Sequence, residues 1–248
     1  MKQSLKILKS YYNIDTKDKL EGNIKDFLFD EKQWVIRYID ADFGKIFSPY
    51  KVLIPKVFFK NPEQDNNIFP TSLSKQEIEK CPKIGDHLPV SRKYEEELNK
   101  HFEIKPYWMV AAYMGTAGAY YPPRPISVPT KSVSEKDIDT ILRSFDEVKG
   151  YHVEANDGKI GHIDDLLIDY QDWQIVYAVI DTSNWLPWSK KVIIPIDKMS
   201  EVSYTNQLVK VKMKKESIKN APEYNPDEMI VEDFEKGVFD FYSQSMVL

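Results

Sequence analysis

The residues best suited to chemistry lie in one short acidic stretch. Asp164, Asp165 and Asp169 stand close together, and His152 and His162 precede them. Carboxylates and imidazoles bind metal ions when several of them converge at about 2.0–2.6 Å from the ion. In the alternative interpretation Asp165 accepts hydrogen bonds from backbone N–H groups and Asp169 begins a turn. We favour this structural interpretation, and we predict neither a metal nor a cofactor.

Motifs for nucleophilic or nucleotide chemistry do not occur in the sequence. It has no Gly-x-Ser-x-Gly elbow, no glycine-rich phosphate loop and no His-Glu-x-x-His sequence. Cys81 is the single cysteine, so the chain cannot form an intrachain disulfide or a cysteine-rich zinc site. We interpret Cys81 as a small packing residue. We therefore expect no enzymatic activity and no catalytic residue.

The strongest candidate for a binding surface is an aromatic loop. Aromatic side chains dominate the binding energy of many protein interfaces. An alternative stays open, in which the tryptophans close the end of a β-barrel or contact the other domain. The candidate residues for binding a protein are Asn184, Trp185, Leu186 and Trp188.

The elements that position these residues occur twice. Residues 12–42 return as residues 151–181, at a constant offset of 139 positions, and residues 51–55 return as 191–195 at an offset of 140. A repeat of this length is a duplicated domain, because solenoid and propeller units are roughly 20–50 residues long. We predict one repeat over 1–110, a Pro/Gly-rich linker over 111–131 and a second repeat over 132–248.

Comparison of the two copies separates shared residues from those of one copy. Asp165 and Asp169 have counterparts in Asp26 and Asp30, whereas Asp164 and both histidines have none. The aromatic loop also belongs to the second copy alone. A specific function is therefore to be sought first in the second copy.

The charge balance restricts the kind of partner. The net charge is −5, with 19 Lys and Arg against 17 Asp and Glu over residues 1–110, and 15 against 22 over 111–248. Neither part has the basic excess typical of nucleic-acid binding, so we do not expect direct nucleic-acid binding. No apolar run reaches the ~18 residues of a membrane span, and the N-terminus lacks the pattern of a signal peptide. We predict a cytoplasmic protein.

Short strands dominate each copy. Residues 24–30 and 163–169 alternate imperfectly and have apolar residues on both faces, which is typical of strands in a small closed barrel. A polar turn and a partner strand beginning at Trp34 or Trp173 follow, so each copy contains a hairpin. The segments 51–55 and 191–195 predict a further strand that ends at a proline.

Helical signals occur at the end of each copy only. Ser74 and Glu77 form a capping box, and a longer helix follows Ser91, which serves as its N-cap. The apolar stripe of this helix returns at an offset of 140 in the C-terminal tail. Its members are Tyr94, Leu98 and Phe102 in the first copy, and Phe234, Val238 and Tyr242 in the second.

Taken together, residues 142–195 resemble the PRC-barrel. This small β-barrel occurs in the cytoplasmic part of the photosynthetic reaction-centre H subunit and in a ribosome maturation factor. The resemblance covers 12–60 and 142–215, and residues 89–95 are similar to an extension of bacterial tandem PRC-barrel proteins. The first copy departs from the pattern, with Asp18-Lys19 in place of Asp157-Gly158 and no Asn-Trp-Leu after Asp42.

The resemblance implies a mainly β fold with two small barrels, each followed by a short helical appendage. It also implies a non-catalytic adaptor or scaffold that binds a protein partner, and a homodimer is possible. The first alternative is a ribosome- or RNA-associated factor, by analogy with the maturation factor. The second is a metal- or small-ligand-binding protein. A reaction-centre role is not expected, because the chain lacks the membrane helix of the H subunit.

Overall fold

The computed structural model describes residues 2–44, 50–83, 90–108, 142–182, 190–226, 228, 230 and 232–244. The strands are β1 (Lys2–Ser4), β2 (Asn13–Asp15), β3 (Glu21–Asp30), β4 (Val35–Asp42), β5 (Lys51–Pro55), β6 (Ile68–Pro70), β7 (Leu142–Ser144), β8 (His152–Ala155), β9 (Gly158–Asp169), β10 (Gln174–Asp181), β11 (Lys191–Pro195), β12 (Met199–Ser203) and β13 (Leu208–Val211). The α-helices with described bounds are α1 (Leu5–Tyr11), α2 (Lys75–Glu79), α3 (Arg92–His101), α4 (Phe145–Val148), α5 (Lys215–Lys219) and α6 (Glu232–Gln244). We refer to residues 2–108 as the first half and to residues 142–244 as the second half. The predicted linker 111–131 lies outside the described residues.

The strands form one large mixed sheet. In the first half the hydrogen-bonded order is β6-β2-β3-β4-β5, and in the second it is β13-β8-β9-β10-β11, with β12 added to β13. The two copies therefore share a strand order, as the repeat predicts. The sheet is not closed, because its end strands β12 and β6 do not pair with each other. The prediction of two small closed barrels is thus not confirmed, whereas the mainly β class with a few helices is.

Each half contributes its first strand to the sheet of the other half. β1 pairs antiparallel with the end of β9, where Ser4 lies opposite Leu167. β7 pairs in the same way with the end of β3, where Ser144 lies opposite Leu28. The exchange joins the halves into one sheet.

The hairpin turns of the two halves also meet. The Ile36 N–H donates to the Trp173 carbonyl at 2.9 Å, and the Ile175 N–H donates to the Trp34 carbonyl at 2.7 Å. Both tryptophans have a positive φ, 55° at Trp34 and 63° at Trp173, which is uncommon outside glycine. Each tryptophan therefore ends its turn, and the predicted partner strand begins one residue later. These paired bonds give the junction an approximate two-fold symmetry.

The prediction that helices occur only at the end of each copy is wrong. The helices α1 and α4 directly follow the exchanged strands, and the side chains of Ser4 and Ser144 accept a hydrogen bond from the N–H three residues further on. Leu5 and Leu8 of α1 are fully buried, as is most of the apolar face of α4. A serine followed by apolar residues three positions apart is the signal that could have revealed both helices.

The predicted appendages are confirmed as helices. The capping box of Ser74 and Glu77 is present at α2, and Ser91 caps α3. Leu98 of α3 and Val238 of α6 are completely buried. The two longer helices therefore pack on the sheet through the stripe that the sequence predicts.

One apolar core extends through both halves. Burial of each large apolar side chain stabilises the fold by about 1.5–3 kcal/mol. Cys81 belongs to this core, and burial raises the pKa of its thiol to about 12. The predicted packing role of Cys81 is thus confirmed. The largest fully buried side chains include Tyr38, Phe27, Phe29, Phe69 and Phe145.

Candidate functional site

The predicted binding loop leaves the sheet between β10 and β11, and its base is tightly bonded. The Thr182 hydroxyl donates to the Lys190 carbonyl at 2.7 Å, and the Lys190 N–H donates to the Thr182 hydroxyl at 3.2 Å. These bonds hold the two ends of the loop together. The four predicted residues lie outside the described part of the chain, so their role stays a prediction: Asn184, Trp185, Leu186 and Trp188.

An open cleft of about 690 Å³ lies beside the base of this loop. Its walls are formed by the adjoining ends of β10 and β11 and by the segment after α5. The Tyr224 N–H donates to the Lys191 carbonyl at 2.8 Å, and the Lys190 ammonium donates to the Ala221 carbonyl at 2.6 Å. The segment after α5 therefore covers the outer edge of β11 and forms one wall of the cleft.

Asp164 is part of a structural ion-pair network. Its carboxylate lies 3.0 Å from the ammonium of Lys6 and 2.7 Å from that of Lys191. Burial acts to raise the pKa of Asp164, but hydrogen bonds from the two lysines outweigh it and lower the pKa below its usual value. Lys25, at the equivalent position in the first half, lies 3.8 Å from Asp42. The sign of the charge is thus reversed between the halves.

Asp165 is a buried carboxylate that binds the first turn of a helix from the other half. It accepts a hydrogen bond from the Ser4 hydroxyl and another from the Lys6 N–H at 3.0 Å. A third bond comes from the Leu166 N–H at 2.8 Å. The predicted role of Asp165 as an acceptor for backbone donors is confirmed, and the positive end of α1 favours its negative charge.

Asp26 makes the equivalent contacts in the opposite direction. It accepts hydrogen bonds from the Ser144 hydroxyl, from the Asp146 N–H at 3.2 Å and from the Phe27 N–H at 2.8 Å. Each half therefore supplies one buried carboxylate and one serine-capped helix to the other. We call these two reciprocal sets of bonds the carboxylate locks.

Three buried aspartates have elevated pKa values. Burial raises the pKa of Asp26 and of Asp165 to about 6, although their hydrogen bonds act in the opposite direction. Asp40 lies opposite Asp26 on the β3–β4 ladder. Burial, together with the charge of Asp26, raises its pKa to about 6 as well. The residue opposite Asp165 in the second half is Val179, so the first half alone has two adjacent buried acids.

The other members of the acidic stretch have structural places. Asp169 accepts a bond from the Gln171 N–H at 3.1 Å, which confirms its predicted role in the turn. His152 and His162 lie opposite each other on the β8–β9 ladder. Across the described ranges, no group of three or more His, Cys, Asp and Glu side chains has an arrangement that could hold a metal ion.

A buried charge cluster under α3 was missed by sequence reasoning. Glu95 is fully buried, with its carboxylate 3.2 Å from the Arg92 guanidinium. The Tyr38 hydroxyl donates to the same carboxylate at 3.3 Å. Glu95 begins a run of three glutamates, 95–97, and such a run normally indicates a solvated helix face. The sequence therefore carries no local signal for this cluster.

The arrangement is that of a mainly β protein with one strand pattern present twice and helices at the end of each copy. Residues 142–218, from β7 into α5, match the model of the PRC-barrel domain family. This match confirms the predicted resemblance for the second copy. It does not extend over the first copy, and no curated protein matches the chain.

The helices give one further finding. Among the residues that the structure describes, no helix combines the length and the hydropathy that a bilayer span requires.

Proposed function

We propose that the chain is a cytoplasmic, non-catalytic adaptor or scaffold with two PRC-type repeats. It binds another protein through the second half, at the loop of Asn184, Trp185, Leu186 and Trp188. The observation that supports this proposal is the bonded base of the loop at Thr182 and Lys190, beside an open cleft. A rigid base lowers the entropic cost of binding through a loop.

The composition of the cleft also supports a protein partner. Charges of both signs surround the base of the aromatic loop, because the cleft is lined by Lys190, Lys191, Asp181, Glu223 and Glu228. Protein interfaces commonly combine a few aromatic anchors with a polar rim. The PRC-barrel match of residues 142–218 fits this proposal, although the fold alone does not determine a function.

Affinity capture from native lysate tests the proposal. The full chain is used as bait, together with the double variant Trp185→Ala, Trp188→Ala. Val57→Ala serves as control, because Val57 is 65% exposed and lies in the first half. We expect a protein that is captured by the wild type and by the control but lost with the double variant.

Three other results would contradict the proposal. A partner captured equally by all three baits would exclude the loop. Capture of ribosomal particles that weakens as salt rises would instead favour the ribosome-associated alternative. A metal or metabolite that raises the melting temperature of the purified chain would favour the ligand-binding alternative.

A further inference from the structure

The helices α3 and α6 occupy equivalent places, which permits a comparison position by position. Leu98 and Val238 stand 140 positions apart, and both are 0% exposed. At the same offset, Glu95 corresponds to Glu235 and Asn99 to Phe239. The faces of the two helices next to the buried stripe can therefore be compared directly.

In the first half this face is covered by the chain itself. Asn99 is only 5% exposed, and Glu95 is fully buried. The residues after α3 form the cover, since the ring of Tyr107 lies 4.1 Å from the guanidinium of Arg37 and the ring of Trp108 lies 4.0 Å from that of Arg92. In the first half, one arginine of β4 and one of α3 thus contact aromatic rings of the residues that follow α3.

Within the residues that the structure describes, the corresponding face of the second half is open. Phe239, at the position of Asn99, is 68% exposed. It lines an open cleft of about 580 Å³ together with Tyr177, Asp233, Glu235 and Lys236. Phe239 and Tyr177 thus line one cleft with charged residues around them, and an apolar surface with a polar rim is typical of a binding site.

The open face lacks the two arginines of the covered face. At the positions of the two arginines the second half has Val176 and Glu232. The cleft contains the ring of Tyr177, which corresponds to Tyr38 of the first half, and it adds the ring of Phe239 and the carboxylate of Asp233. Aromatic rings and carboxylates together attract a guanidinium group, through cation–π contact and through ion pairing.

The charges around the cleft leave Asp233 as the carboxylate for a ligand. Glu235 lies 2.5 Å from the ammonium of Lys2, which is also 3.5 Å from Asp169. Lys236 is the cation that lines the cleft itself. With Lys2 and Asp169 included, three carboxylates stand against two ammonium groups, and the ring of Phe239 adds a surface that attracts a cation.

We propose that this cleft binds an arginine-bearing segment of a partner protein. The guanidinium lies over the Phe239 ring and pairs with Asp233, while the stem of the arginine side chain covers Tyr177. In the first half Tyr107 and Trp108 contact arginines of the chain itself, whereas here the ring belongs to the cleft and the arginine to the partner. The surface is independent of the loop proposed above, so either proposal can fail without the other.

Fluorescence anisotropy with a labelled peptide tests this inference. The probe is a short peptide of glycine, serine and arginine, and its twin has citrulline, the uncharged analogue, in place of each arginine. We expect saturable binding of the arginine peptide to the full chain at physiological salt, and binding about tenfold weaker for the twin. Phe239→Ala and Asp233→Asn should each weaken binding by about tenfold, whereas Val57→Ala should have no effect.

Several results would overturn the inference. They are equal binding of both peptides, no saturable binding, or full binding by Phe239→Ala. Because the Phe239 side chain is largely exposed, its removal should leave the melting temperature unchanged. Loss of binding with Trp185→Ala, Trp188→Ala but not with Phe239→Ala would assign the peptide to the loop. Self-association that disappears in Phe239→Ala would assign the cleft to a second copy of the chain.

Discussion

The two halves share their internal framework and differ at the surface of the terminal helix. Both have the same strand order, the same carboxylate lock and the same buried helix stripe. Yet Asn99 is 5% exposed and Phe239 is 68% exposed at equivalent positions. The two halves are thus alike in what joins them and differ in what they present to solvent.

The carboxylate locks give a structural reason for the aspartates that both halves have at equivalent positions, Asp26 and Asp165. Each long strand, β3 or β9, carries a buried aspartate that binds the helix following the exchanged strand. A buried carboxylate stabilises the fold only when its acceptors are satisfied. Two of the three donors to each aspartate come from the other half, so neither half fully satisfies its own aspartate. The halves should therefore unfold together.

The largest expected difference between the halves is in the stability that is lost when Glu95 or Glu235 is removed. Glu95→Ala should lower the free energy of unfolding by about 3 kcal/mol, because it leaves the largely buried Arg92 guanidinium without its carboxylate partner. Glu235→Ala should cost less than about 1 kcal/mol, because the pair with Lys2 is partly exposed. Urea denaturation of both variants measures the two values. Equal losses would show that the two helix faces are covered to the same extent.

Replacement of the aspartate of a carboxylate lock should cost the same stability in both halves. Asp26→Ala and Asp165→Ala should each cost about 2 kcal/mol, because each leaves buried backbone and hydroxyl donors without an acceptor. Asp26→Asn and Asp165→Asn keep an acceptor oxygen and should cost about 1 kcal/mol or less. Calorimetry should show one unfolding transition in every case. Two transitions, only one of which moves, would contradict the reciprocal locks.

Asp40 should give a smaller difference in stability between the halves, and this difference should depend on pH. Its folded pKa of about 6 exceeds the usual 3.8, so its contribution to stability is complete below pH 3.8 and is lost as the pH rises through 6. Replacement by the residue of the second half, Asp40→Val, should therefore stabilise the protein by about 1–2 kcal/mol near neutral pH.

The pH dependence of that gain provides the control. The free energy of unfolding that Asp40→Val gains over the wild type should become smaller as the pH falls from about 7.5 to about 5, because the wild-type carboxyl then becomes protonated. Urea denaturation at a series of pH values measures it. A constant difference over this range would show that Asp40 does not titrate there in the folded state.

Local and repeated patterns made much of the fold predictable. The hairpins, the proline-ended strands and the capped helices after Ser74 and Ser91 have signals within a few residues, and the repeat supports each of them. The exchange of strands had no such signal. β1 is three residues long, and its bond from Ser4 to Asp165 joins residues 161 positions apart.

The candidate sites also differ in whether the sequence could predict them. The structural roles of Asp165 and Asp169 follow from their recurrence in the first copy, and they are confirmed by their backbone donors. The cleft at Phe239 could not be predicted, because a phenylalanine in a helix most often belongs to the core. The exposure of Phe239 depends on which segments cover the helix. Such tertiary contacts cannot be predicted from a local sequence pattern.

Hydrogen–deuterium exchange of the full chain, with and without the arginine peptide, tests the functional difference between the halves most directly. Protection should appear in Gln174–Asp181 and Glu232–Gln244, which line the open cleft. The equivalent Val35–Asp42 and Arg92–His101 should be unchanged, since the first half covers this face itself. Equal protection in both halves, or protection in the first half alone, would contradict the account.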